Sequence, residues 1–207
     1  MFDKKHSLSR RQFIKHCMQL SVGCAVGQHA FGKASVTETQ KKPAPASPTP
    51  LDKFLNTEHE RRLAFYNLRT GEKLNATFWV KGEYIQDQLA DINHLLRDFR
   101  QNKVIPIDLA LLNQLFVIQQ IMENKGTIQV ISGYRSPETN NMLVQKKQGA
   151  VKNSYHTKGQ AVDLNIAGVN LEHLHKAALV MKGGGVGYYP KSQFIHIDTG
   201  PVRRWGG

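Results

Sequence analysis

Two predicted strands, AVDLNI at 161–166 and FIHID at 194–198, carry acidic or imidazole side chains among apolar residues. A carboxylate such as Asp163 is costly to bury beside Ala, Val, Leu and Ile unless it is paired or binds a cation. In the second strand His196 and Asp198 are two residues apart, so both side chains project from the same face. The fold must therefore supply partners for these groups, and this requirement restricts how the two strands can be placed.

A third polar side chain, His156, lies seven residues before Asp163 in a loop that contains Ser, Lys and Gly. Zinc accepts imidazole nitrogen and carboxylate oxygen, and three protein ligands with one open position are typical of catalytic zinc. We therefore predict that Zn²⁺ is bound by His156, Asp163 and His196. Manganese and iron accept similar ligands. Taken singly, each residue favours a structural interpretation: Asp163 a salt bridge to a lysine, His196 a satisfied core histidine and His156 an exposed loop residue.

The pattern of apolar residues predicts an α+β fold, with a small and mostly antiparallel sheet packed with helices. Segment 63–80 predicts a β-hairpin around an RTGE turn. Apolar residues at helical spacing predict a helix over 85–99. Further helices are predicted to begin at the N-caps Asp108, Ser136 and Asn170.

The N-terminal part of the chain predicts an export signal followed by a linker. Arg10 and Arg11, followed by QFIK and a short apolar stretch, resemble the bacterial twin-arginine signal. The stretch is too short and polar to span a bilayer stably, so no stable membrane insertion is expected after signal removal. We assign residues 1–34 to the signal, 35–51 to a Pro/Ala-rich linker and 52–207 to the folded domain.

Composition excludes several classes of function. Both cysteines, Cys17 and Cys24, lie in the predicted signal, so the exported domain has neither a disulfide framework nor a cysteine nucleophile. The formal net charge of +12 favours a polyanionic partner such as nucleic acid, acidic lipid or an anionic cell-wall polymer. The sequence has no zinc-finger spacing or other nucleic-acid signature, so we predict no nucleic-acid partner.

Three segments, SGYRSPETNN, YHTKGQAVDLNI and FIHIDTGP, resemble the motif set of the peptidase M15 family, and specifically its twin-arginine-exported murein endopeptidases. The resemblance extends from about Leu63 to Trp205. It implies the small α+β fold of D-Ala-D-Ala peptidases and makes 52–207 a zinc peptidase domain. It also implies that Arg135 faces the substrate carbonyl or carboxylate, and that the metal ligands are His156, Asp163 and His196.

The activity implied by this resemblance is zinc-dependent hydrolysis of peptidoglycan cross-links in the periplasm, with stem peptides as substrate. The bond would be D-alanyl–diaminopimelate or diaminopimelate–diaminopimelate. Two alternatives are a D,D-carboxypeptidase or dipeptidase of the same fold, and a non-catalytic peptidoglycan-binding module with structural zinc.

The identity of the general base is left open by the sequence. Many relatives place a carboxylate three residues before the last ligand histidine, where this chain has Gln193. Asp198 is either the substitute catalytic base, because it shares a strand face with His196, or a partner that orients a ligand histidine.

Overall fold

The computed structural model describes residues 58–123 and 126–207, together with Leu51 and Leu55. The predicted export signal lies outside the described residues, as does the linker apart from Leu51, so the assigned segment boundaries stay predictions. Among the described helices, none combines the length and the apolar character needed to cross a membrane.

An eight-stranded sheet forms the framework of the domain. In chain order its strands are β1 Glu60–Asn67, β2 Lys73–Val80, β3 Glu83–Tyr84, β4 Ile128–Ser132, β5 Ala161–Ile166, β6 Gly185–Tyr189, β7 Phe194–Asp198 and β8 Arg203–Gly206. Their spatial order is β3-β2-β1-β4-β5-β7-β6-β8, and only the β1–β4 and β6–β8 pairs are parallel.

Four α-helices are present in the part of the chain that the structure describes: α1 Gln86–Leu95, α2 Leu109–Ile121, α3 Pro137–Gln145 and α4 Leu171–Met181. Together with the mostly antiparallel sheet they confirm the predicted α+β fold.

Local sequence signals explain where most helices begin. The Asp108 carboxylate accepts the Ala110 N–H at 2.9 Å, and the Asn170 side chain caps α4 in the same way. Ser136 caps α3 by accepting the Thr139 N–H at 3.2 Å. The three predicted N-caps are therefore confirmed.

Helix α1 ends at Leu95, earlier than the apolar spacing to Phe99 predicts. The Leu96 carbonyl accepts the Tyr134 N–H at 2.8 Å, and the Asp98 carboxylate accepts the Ser136 N–H at 2.9 Å. Through these bonds the segment after α1 stabilises the turn between β4 and α3 instead of continuing the helix.

The central strands have one apolar face and one polar face. Leu164 on β5 and Ile195 and Ile197 on β7 are fully buried, and helices α2 and α4 pack over this side of the sheet. Asp163 and His196 alternate with them and therefore project from the opposite face. The candidate site thus lies on the face that these helices leave uncovered.

Candidate active site

Strand pairing places several site residues in one row across the sheet. Asp163 on β5 lies opposite His196 on β7, and His196 lies opposite Gly187 on β6. Gly187 in turn lies opposite Trp205 on β8. Directly paired residues project from the same face of a sheet, so the side chains of this row share the uncovered face.

The SGYRS motif forms a backbone corner that positions the third predicted ligand, His156. The Gly133 carbonyl accepts a hydrogen bond from His156 Nδ1 at 2.7 Å, and the Arg135 N–H donates to the His156 carbonyl at 3.1 Å. Glycine is required at the corner because a Cβ on Gly133 would collide with the backbone carbonyl of Leu96. The His156 side chain is consequently fixed and buried.

Three potential ligand atoms converge where this corner meets the sheet. His156 Nε2 lies 3.3 Å from Asp163 Oδ1 and 3.2 Å from His196 Nδ1, while His196 Nδ1 lies 2.9 Å from the same Asp163 oxygen. Tetrahedral ligands about 2.0–2.1 Å from zinc lie about 3.3 Å from one another. The three spacings therefore fit a small divalent cation.

The outer hydrogen bonds determine how the ring nitrogens of the two histidines can be protonated. The Gly133 carbonyl can only accept, so His156 carries its proton on Nδ1 and has a lone pair on Nε2. His196 Nε2 lies 3.0 Å from Asp198 Oδ2 and Nδ1 lies 2.9 Å from Asp163 Oδ1, so both nitrogens can donate to carboxylates. When Nδ1 gives up its proton to a cation, two imidazole lone pairs and a carboxylate oxygen converge, which is the donor set that zinc requires.

The pKa directions favour a neutral His156 and an ionised Asp163, whereas that of His196 favours the protonated ring in the absence of a cation. Burial lowers the pKa of His156, which favours the neutral ring that a metal ligand must be. Burial also opposes ionisation of Asp163, but the two histidines hold the pKa of this carboxyl well below its ordinary value. Burial would lower the pKa of His196, yet its hydrogen bonds to Asp163 and Asp198 raise it. Asp163 therefore stays ionised between the two rings.

Asp198 contacts His196 on the side of the ring that faces away from Asp163 and His156. Its side chain is fully buried and also accepts the N–H groups of Gly185 at 3.0 Å and Gly200 at 2.8 Å. Arg203 donates to both carboxylate oxygens, at 3.1 and 2.7 Å. Burial alone would raise the pKa of Asp198, but hydrogen bonds from His196, Arg203 and the two backbone groups lower it.

Arg135 reaches the site from the SGYRS corner. Its Nη2 lies 3.8 Å from Asp163 Oδ2, and its side chain is only 12% exposed. Burial lowers the pKa of Arg135, whereas the Asp163 carboxylate raises it. The guanidinium Nε is buried without a hydrogen-bond partner among the described residues. The positively charged Arg135 guanidinium thus lies beside Asp163 Oδ2, the carboxylate oxygen that does not face the two histidines.

The converging groups lie at the surface of a cleft. The cleft has a volume of about 650 Å³, and its lining includes Arg135, Tyr189 and Trp205. Among the described residues, Asp163 is the only carboxylate in this lining. Gln193 does not line the cleft, because it lies exposed and its side chain donates to the carbonyl three residues earlier at 2.6 Å. No acid therefore occupies the position that many relatives use for a base.

Strand β8 and the side chains that it brings to the site were not predicted from the sequence. The Arg203 guanidinium lies 5.1 Å from the Tyr155 ring and 4.9 Å from the Trp205 ring. The Trp205 ring lies 5.2 Å from the His196 ring, so β8 supports this histidine from the side. The available signal was the alternation in RRW, which projects Arg203 and Trp205 from one face.

Small residues make room for this arrangement. A Cβ on Gly187 would lie 2.7 Å from a Trp205 ring carbon, and a Cβ on Gly185 would lie 2.6 Å from Asp198 Oδ2. A Cβ on Gly200 would collide with the Tyr155 ring. The alternating glycines of GVG are therefore required by the large side chains that cross them.

Comparison with known proteins places the chain in a family. The model of a peptidase M15 family described as "Peptidoglycan L,D-endopeptidase MepK" matches residues 55–205. The chain belongs to this peptidase M15 family. The match includes every residue of the metal-compatible cluster and all of the sheet except Gly206, the last residue of β8, so the resemblance predicted from three short motifs is confirmed.

Relatives of this M15 family member are similar over most of their length. Peptidoglycan L,D-endopeptidase MepK of Escherichia coli strain K12 is 50% identical over 158 residues, which cover 76% of this chain and 87% of the relative. A probable peptidoglycan L,D-endopeptidase MepK of Haemophilus influenzae is 43% identical over 155 residues, covering 74% and 83%. No solved structure matches the M15 chain.

Proposed function

We propose that this protein is a zinc-dependent peptidoglycan endopeptidase that hydrolyses L,D peptide cross-links in the periplasm. The convergence of His156, Asp163 and His196 on an open cleft carries the proposal, because this donor set and spacing fit Zn²⁺. The names of its relatives support the L,D-endopeptidase activity. The twin-arginine-like signal in residues 1–34 and a peptidase domain over 52–207 are part of the same proposal.

The two histidines and Asp163 would hold the ion. The chemistry that zinc would supply there is a Lewis acid for the scissile carbonyl and a lowered pKa of bound water. Arg135 adds a fixed cation at the edge of the same cleft, where it would bind the developing negative charge or a substrate carboxylate.

Of the two roles left open for Asp198, we propose that it orients His196. The carboxylate is fully buried and has no place in the cleft lining, so substrate does not reach it. Its bond to Nε2 fixes the tautomer that leaves Nδ1 free for the ion. Arg203 and two backbone N–H groups hold the carboxylate in place.

The charges of the cleft suit stem peptides, which carry free carboxylates. Arg135 and Arg203 line the cleft, and its one lining carboxylate among the described residues, Asp163, points towards the proposed ion. Of the two bonds considered from the sequence, the diaminopimelate–diaminopimelate bond is the L,D linkage, and we propose it as the preferred substrate.

Digestion of purified cross-linked muropeptides tests the function. We expect dimers joined by an L,D bond to be converted to monomers, the activity to be lost on treatment with a chelator, and zinc to restore it. Release of a single terminal alanine without dimer cleavage would instead support the carboxypeptidase alternative. Binding of peptidoglycan with zinc present but without hydrolysis would support the binding-module alternative.

Replacing Asp198 with asparagine separates its two candidate roles. If Asp198 orients His196, the D198N variant should bind zinc about 10- to 100-fold more weakly, because the amide no longer secures the required tautomer. A competition titration with a chromophoric chelator measures this affinity. The matched control is Asp91→Asn, which makes the same change on an exposed surface of α1. Unchanged zinc affinity with a large loss of kcat would support the role of general base instead.

A further inference from the structure

Tyr189 presents an unused hydroxyl proton to the cleft. The indole Nε1 of Trp205 donates a hydrogen bond to the Tyr189 oxygen at 2.8 Å. An indole N–H can only donate, so the phenol is the acceptor in this bond and its own proton remains available. Among the described residues none accepts that proton, and Tyr189 lines the cleft.

The ring of Tyr189 is held in one position. It stacks on Phe194 with 4.6 Å between ring centroids. On its other side, Trp205 is able to reach the hydroxyl because Gly187 has no side chain in the way. A donor fixed by stacking and by a second hydrogen bond needs little reorganisation when a substrate arrives.

Tyr189 lines the same cleft as Arg135 and His196. Trp205, the hydrogen-bond partner of Tyr189, packs 5.2 Å from the His196 ring. The phenol is therefore separated from a proposed metal ligand by one indole ring and shares the cleft with it.

We propose that the Tyr189 hydroxyl is a catalytic residue that donates a hydrogen bond to the scissile carbonyl oxygen as this oxygen gains negative charge. The inference rests on the proposed function and adds a residue to it. In the reaction one water adds to the carbonyl carbon, the C–N bond breaks and a proton passes to the departing amine. Tyr189 supplies a hydrogen bond only and neither gains nor loses a proton, so the balance is unchanged.

The variant Tyr189→Phe tests the proposal, with Tyr188→Phe as the matched control. Tyr188 is the preceding residue of β6 and stacks on His175 of α4, on the other face of the sheet. For Y189F we expect kcat on L,D-linked muropeptide dimers to fall about 10- to 100-fold, which is the effect of one hydrogen bond to a charged group. KM and zinc content should stay at wild-type values, and Y188F should match wild type in all three.

A second measurement does not depend on turnover. A phosphinic dipeptide, whose tetrahedral anion resembles the hydrated carbonyl, should bind the zinc-loaded Y189F variant about 10- to 100-fold more weakly than wild type. If wild type fails to hydrolyse muropeptides but still binds the probe more tightly than Y189F, the proposed function is contradicted. The hydrogen bond from Tyr189 to a tetrahedral anion is then supported independently of that function.

Trp205→Phe tests whether the indole orients the hydroxyl. It retains a ring beside His196 but removes the N–H donor, so it should cause a smaller loss of kcat. The double variant with Y189F should then be no slower than Y189F alone. The proposal is overturned if Y189F keeps both wild-type kcat and wild-type probe affinity, or if its loss of activity merely follows a loss of zinc.

Discussion

Asp163→Asn is expected to abolish zinc binding and to lower muropeptide hydrolysis by at least about a thousandfold, because metal catalysis contributes several kcal/mol to the transition state. Asp163 Oδ1 lies within 3.3 Å of a ligand nitrogen from each of the two histidines. An amide has the same shape but no charge, so the remaining donor set of two neutral imidazoles binds a divalent ion poorly.

Metal analysis of the purified variant and a muropeptide digest measure these two effects. Asp91→Asn serves as the control, since it makes the same chemical change at an exposed position of α1 and should keep wild-type zinc and activity. A circular dichroism spectrum checks that D163N retains its fold. Full zinc occupancy in folded D163N would contradict the assignment of Asp163 as a ligand.

Arg135→Gln is expected to lower kcat/KM by about 100- to 1000-fold, the range seen when one preorganised donor for developing charge is lost. Zinc content should stay at the wild-type level, because Arg135 contacts only the outer oxygen of Asp163. Lysine restores the charge but not the planar fork, so Arg135→Lys should recover only part of the loss.

Kinetics on L,D-linked dimers and metal analysis together check this expectation. Arg62→Gln is the matched control because Arg62 lies exposed on β1. Wild-type kcat/KM in R135Q would show that the arginine does not act on the substrate. A loss of zinc equal to the loss of activity would show instead that it acts through Asp163.

The fold and the cluster differ in how much of each the sequence predicts. The caps at Asp108, Ser136 and Asn170 were predictable because each depends on a side chain within three residues of the helix start. Asp163 and His196 were predictable because they interrupt apolar strands, and His156 because it is an imidazole in the loop before the first of these strands. Strand β8 was missed because its parallel pairing with β6 is a long-range contact, and the alternation in RRW is a short local signal that does not reveal this pairing.

The role of Asp198, as a base or as an orienting partner, could not be decided from the sequence for a different reason. Two residues on one strand face are neighbours whatever their roles, so the pattern is the same for a base and for an orienting partner. The choice depends on which nitrogen of His196 faces the cluster. The structure turns Nδ1 towards Asp163 and Nε2 towards Asp198, and a sequence holds no information about this ring rotation.

The pairing of Asp163 directly with His196 in adjacent strands has a consequence for how the ion is received. Their spacing is dictated by the backbone ladder of β5 and β7, and a slip by one residue would carry either side chain to the helix-covered face. In small zinc domains the ion itself drives folding. Here strand pairing alone places two of the three proposed ligands, so we expect the chain to stay folded when a chelator removes the proposed ion.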